Sequence, residues 1–218
     1  MTTETVTTTT EPAATTDSSM PAGGLWAALS YWGLHAWILG YCVVMLAAFY
    51  IQFAMGEFPC PLCMLQRYGM ILSSLGALFV IMQARRGTLT ASRYAQGLGM
   101  GLLGALTGAP VSVRQIELHI KPGDPGYGEP VLGLHLYTWA LITFVIVMIY
   151  VGAALMLMPK SIPAAPEAGT AGRAVSTLVI WLFIAVVAAN VVAIIFLDGF
   201  AGVLPDDPAG YHLIEHFR

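Results

Sequence analysis

Five long apolar runs, separated by short polar connections, leave this chain few ways to fold. They extend roughly from Leu34 to Met55, Cys63 to Met82, Tyr94 to Val113, Leu136 to Met158 and Val175 to Leu197. Each is close to the ~20 residues with which a helix crosses the hydrocarbon core of a bilayer. Charged residues make up only 10% of the chain and hydrophobic ones 57%, whereas a soluble domain carries about 25% charged residues. The few charges also clump between the runs, so they cannot coat a water-facing surface. Gly, Ser, Gln and Thr interrupt the second and third runs, and small residues of this kind pack helices against one another in lipid. The expectation is an all-α membrane protein whose spans form a bundle.

The first run is too long for a cleaved secretory signal, and no Lys or Arg precedes it. The stretch before it, rich in Thr, Ala and Pro, reads as a disordered tail. Lys and Arg set orientation, because loops on the cytoplasmic side carry the excess. Arg85, Arg86 and Arg93 follow the second run, and Lys160 and Arg173 follow the fourth. Both connections are expected inside. The turn around Phe58 to Cys60, the loop His119 to Leu134 and the acidic C-terminal tail then face outward. A net charge of -3 without a basic patch gives no footing for nucleic acid.

Three cysteines are present. Cys42, mid-way along the first run, reads as a small buried apolar side chain. Cys60 and Cys63 stand at the outer mouth of the second run, where a disulfide can persist outside the cytoplasm. Residues i and i+3 at a helix start share a face, so the two sulfurs can meet. Free N–H groups and the positive end of the helix dipole favour a thiolate there. Pro61 suits the first helical turn, having no N–H to leave unpaired. Two other readings compete. Zinc needs about four ligands, and no second cysteine pair exists. A purely structural disulfide across so short a loop constrains little of the unfolded chain.

Arg67 follows Cys63 by four residues and projects from the same helical face one turn deeper. A charge in a membrane helix costs roughly 2.5 kcal/mol or more on insertion scales. It therefore needs a partner, such as a thiolate or an anionic cofactor intermediate, or else it snorkels to the headgroups.

The segment Pro59-Cys60-Pro61-Leu62-Cys63-Met64-Leu65-Gln66-Arg67 resembles the CxxCxxxR signature of the disulfide bond formation protein B (DsbB) family. The resemblance covers roughly Leu34 to Met158. It implies a four-helix transmembrane bundle with the motif at the outer start of the second helix, and here a fifth transmembrane helix beyond it. The implied division is a disordered tail over 1–30, a four-helix membrane domain over 31–158, a cytoplasmic linker over 159–173, an additional transmembrane helix over 174–197 and an outward tail over 198–218. The implied activity is that of a thiol:quinone oxidoreductase in the bacterial inner membrane, with its redox site on the periplasmic face. Electrons would come from a thioredoxin-fold, DsbA-like thiol protein and leave to the membrane quinone pool, ubiquinone or menaquinone. The family pattern places Cys63 against the quinone, Arg67 where negative charge arrives, and Cys60 toward the protein substrate.

Arg114, Gln115 and His119, at the outer end of the third run, are expected to supply hydrogen-bond donors to a quinone carbonyl. The competing reading makes them interfacial anchors. The loop Lys121 to Pro130 is dense in turn formers and is expected to form an ordered outer cap. Tyr137 and Trp139 read as an aromatic belt. The chain departs from the family in three ways. No second cysteine pair stands in the loop His119 to Leu134, the stretch Gly202 to Pro208 lacks the cysteines of relatives with a Pro-Asp-x-Pro turn, and the fifth run is extra. A non-enzymatic haem-anchoring or assembly subunit is the alternative, with His35, His119 and His135 as available ligands.

Overall fold

The apolar runs form helices throughout. The computed structural model describes residues 24–158, 160–163, 170–198, 210, 211 and 213. Most of the expected N-terminal tail, part of the linker, the Gly202 to Pro208 stretch and most of the acidic tail lie outside the described residues. Helix α1 covers Leu25–Tyr50 and runs on as a wider π-helical turn over Ile51–Met55, stopped by Gly56 at φ 76°. Helix α2 covers Pro61–Arg85, α3 Ala91–Leu118, α4 Leu136–Met156 and α5 Thr170–Asp198.

Helix α1 begins earlier than the expected tail end at residue 30. Its first turns keep their polar side chains satisfied. Ser30 Oγ lies 3.0 Å from the Tyr94 hydroxyl, and His35 bridges the Tyr31 carbonyl and Ser176 Oγ, each at 2.8 Å. Among the described residues, four helices are long and apolar enough to cross a membrane: α1 with its π-turn, α2, α4 and α5. The chain is thus a multi-pass membrane protein. Helix α3, expected as a fifth span, is long enough but not apolar enough to stand with them. Its glycine-rich face packs between α2 and α4, while Met100, Leu103, Leu106 and Val113 are exposed.

That packing is close because glycines meet there. A Cβ on Gly76 of α2 would overlap the backbone of Gly97 and Gly101 of α3, and a Cβ on Gly108 would enter the Phe144 ring of α4. The approach lets Ser73 Oγ donate to the Gly101 carbonyl at 2.9 Å, an interhelical bond of the kind small-residue interfaces permit. Gly76→Ala is expected to destabilise the detergent-solubilised protein by about 1–3 kcal/mol, the usual range for overpacking. Gly99→Ala, where a Cβ meets nothing within 4 Å, serves as the control. Equal melting of the two variants would contradict this account of the interface.

Candidate redox site

The start of α2 is built around Cys60. It is the N-cap, with extended backbone, and its sulfur accepts the Cys63 N–H at 3.3 Å. Pro61 occupies the first helical position, as expected. The turn brings the two sulfurs to 2.8 Å, against about 2.05 Å for a disulfide bond, so a small movement joins them. Cys60 is buried and Cys63 half-buried. Cys42 is fully buried in α1, away from the pair.

Gln115 of α3 reaches both sulfurs. Its Nε2 lies 3.4 Å from Cys60 Sγ and 3.4 Å from Cys63 Sγ. Gln66, one turn below Cys63, donates to Gln115 Oε1 at 2.7 Å. That bond fixes which end of the Gln115 amide faces the cysteines, so an N–H is presented to whichever sulfur carries negative charge.

Arg67 does not snorkel. Its side chain is only 5% exposed and turns into the bundle. Nη1 donates to Gln52 Oε1 at 3.2 Å and to Asn190 Oδ1 at 3.5 Å, and the guanidinium carbon lies 5.2 Å from the centre of the Phe49 ring. Gln52 is on the π-helical turn, whose wider winding belongs to a class of distortion frequent at functional sites. No Asp or Glu pairs with Arg67 among the described residues. A buried cation is thus held by neutral amides and a π face alone. A cavity of about 60 Å³ adjoins it, walled by Met45, Ala48 and Ala140 and reached by Cys63 and Arg67.

The loop between α3 and α4 closes over the outer end, in keeping with the expected ordered cap. The Tyr127 hydroxyl donates to the Phe58 carbonyl, and the Glu129 N–H donates to the Glu57 carboxylate at 3.2 Å. His135 bonds the Gly128 carbonyl at 2.9 Å. The rings of His119 and His135 both stack on Tyr137, at 5.9 and 5.2 Å. Asp124 accepts from the Gly126 N–H at 2.8 Å and pairs with His119 at 3.1 Å. Those two partners hold its carboxyl below the usual range. Phe58 also meets Tyr211 edge to face at 5.1 Å.

The expected trio on α3 therefore separates. Gln115 enters the cysteine site, whereas His119 is engaged with the cap loop. Arg114 is largely exposed and pairs with Glu117 at 3.7 Å. One residue of offset on a helix turns a side chain by about 100°, enough to move Arg114 off the Gln115 face. His35 lies near the start of α1, and His119 and His135 near the cap loop at the far end of the bundle. Both ring nitrogens of His35 are already engaged. No cluster of three His, Cys, Asp or Glu side chains suited to a metal occurs among the described residues.

A family model described as "Disulfide bond formation protein DsbB" matches residues 30–154. The chain belongs to the DsbB family. A Disulfide bond formation protein B of Chromobacterium violaceum is 40% identical over 77 residues, which are 35% of this chain and 44% of that protein. Disulfide bond formation protein B 1 of Pseudomonas fluorescens Pf-5 is 30% identical over 142 residues, covering 50% of this chain and 80% of the relative. A DsbB of Azoarcus sp. BH72 is 34% identical over 117 residues, covering 53% and 68%. No solved structure matches. The DsbB match takes in α2 and both motif cysteines but ends before α5.

The structure adds four neighbours to the DsbB motif that the motif pattern does not single out: Phe49, Gln52, Gln66 and Asn190. Gln66 lies inside the quoted motif. Gln52 and Asn190 each interrupt an apolar run, and a polar side chain within a span is itself a signal.

Proposed function

We propose that this chain is a membrane thiol:quinone oxidoreductase that draws electrons from a thioredoxin-fold dithiol outside the cytoplasm. The observation that carries the reading is the pairing of a closable Cys60–Cys63 couple with a buried Arg67 that has no carboxylate partner among the described residues. Such a cation is a poor structural choice, because an unpaired buried charge is costly. It suits a site where negative charge arrives during turnover.

A donor thiolate attacks Cys60 of the Cys60–Cys63 disulfide, forming a mixed disulfide and releasing Cys63 as a thiolate. Gln115 Nε2 offers that thiolate a hydrogen bond, and Arg67 lends it a positive field. The donor's second thiol then displaces Cys60, so the donor leaves as a disulfide and the pair is a dithiol. Cys63 and Arg67 would face a quinone held in the cavity, which when bound would supply an acceptor for two electrons and two protons from the pair and so restore the Cys60–Cys63 disulfide. The cavity offers apolar wall residues and Arg67 as a donor toward an oxygen, but at about 60 Å³ it is smaller than the roughly 150 Å³ that holds a benzene ring, so it must widen to admit a quinone ring. The basic residues Arg85, Arg86 and Arg93 lie at the opposite end of α2 and α3, which supports an extracytoplasmic, periplasmic redox face in the bacterial inner membrane.

Thiol trapping of Cys60 and Cys63 in membranes supplied with a dithiol donor tests the proposal. The pair is expected to be oxidised with quinone present and to accumulate as dithiol in quinone-depleted membranes. A pair that stays reduced despite quinone would refute the oxidoreductase reading. A pair that reoxidises equally well without quinone would refute the acceptor.

A further inference from the structure

Helix α5 lies beyond the matched family segment, yet it reaches the redox site. Of its buried apolar residues, Val179, Phe183, Val186, Ala193 and Leu197 follow one another at spacings of three and four or their sum, with Ile180 beside the first of them. Ser176 and Asn190 fall in the same register, the seven-residue repeat of a helix seam. The helix docks on α1 along this seam. Ser176 holds the end near the start of α1. It accepts from the Tyr31 hydroxyl at 3.1 Å and from Arg85 at 3.4 Å, and it meets His35 at 2.8 Å.

Asn190 lies two repeats further along and is fully buried. Its Oδ1 accepts from Arg67 Nη1, and its Nδ2 has no hydrogen-bond partner. A polar seam residue fixes register at a cost in stability. Register alone does not require that its acceptor meet the cation beneath the cysteines. Gln52 shows the same pattern from α1, with Oε1 on Arg67 and Nε2 unpaired. Two neutral carbonyl oxygens thus converge on one guanidinium nitrogen and orient it without cancelling its charge.

We infer that Asn190 is a positioning residue for Arg67, so that α5 is a working part of the redox site rather than an appended anchor. The inference rests on the thiol:quinone reading for Arg67's role. Two oriented amides leave the full positive charge available to the Cys63 thiolate and to the electron acceptor. An acidic residue at the same place would hold the guanidinium but neutralise it.

The test uses the full chain in liposomes with three variants. Asn190→Leu, which keeps the seam apolar, is expected to slow quinone-dependent reoxidation about tenfold, the order expected for a lost bond to a charged group. Asn190→Asp is expected to shift the thiol–disulfide equilibrium of the Cys60–Cys63 pair with glutathione about tenfold toward the disulfide, because a neutralised Arg67 stabilises the thiolate less. Ser176→Ala loosens α5 at its other end without touching Arg67, and it should leave that equilibrium unchanged. The glutathione measurement needs no quinone. An unshifted Asn190→Asp equilibrium, or an equal shift in Ser176→Ala, would overturn the positioning role. If Asn190→Leu fails to insert, the Asp equilibrium decides alone. Failure of the wild type to reduce quinone would instead overturn the underlying reading, and the glutathione result would still judge Asn190.

Discussion

Replacing Cys63 with Ser is expected to abolish turnover and leave Cys60 caught in a mixed disulfide with its donor. The lone Cys60 thiolate exchanges with the donor's disulfide, and no Cys63 thiol remains to resolve the product. Cys60→Ser is expected to abolish turnover as well but to trap little. Cys63 lines the cavity beside Arg67, and the proposed mechanism assigns it to the electron acceptor. The cysteine inventory sharpens the prediction. Cys42 is buried in α1, so this chain has no internal relay pair, and Cys60 must meet the donor itself.

Direct attack needs the Phe58 to Cys60 turn uncovered, yet Tyr127 and Glu129 of the cap loop are bonded to Phe58 and Glu57. Cys60 itself is only 7% exposed. The loop must lift before a donor reaches the sulfur. Non-reducing gels with mass spectrometry of the trapped species provide the check. A thioredoxin-fold partner joined to Cys60 is the expected product. Preferential capture through Cys63 would reverse the assigned roles.

Arg67→Ala is expected to slow quinone-dependent reoxidation of the pair by about a hundredfold or more, the order seen when a preorganised donor to developing charge is lost. Reaction of the disulfide with a thiol donor should fall less, because the departing Cys63 thiolate keeps the Gln115 N–H when the field of Arg67 is lost. Arg67→Lys should recover only part of the loss. Lysine is a point charge without the planar guanidinium that here lies near the Phe49 ring while one of its nitrogens serves both Gln52 and Asn190. Stopped-flow reoxidation in liposomes separates the two half-reactions. Unchanged quinone kinetics in a well-folded Ala variant would remove Arg67 from the mechanism.

Much of this protein is written in one dimension. Apolar runs near twenty residues dictate membrane helices, since length against bilayer thickness is a local property. The Cys60-Pro61-Leu62-Cys63 turn is equally local. An N-cap, a proline at the first helical position and an i, i+3 spacing bring the sulfurs together without help from elsewhere in the chain. Arg67 follows by helix periodicity. Other features depend on packing between distant segments. Spacing put Arg114, Gln115 and His119 in one neighbourhood, but only the way α3 lies against α2 turned Gln115 onto the sulfurs and left Arg114 outside with Glu117. The glycines that lower the apolarity of α3 read in the sequence as small residues of any packed span, and only the packing shows that they are matched to α2 and Phe144. Asn190 lies 123 positions from Arg67 in the chain, and no local rule joins them. Their contact exists because the α5 seam docks on α1 in one register, and a buried amide has few other places to satisfy its oxygen.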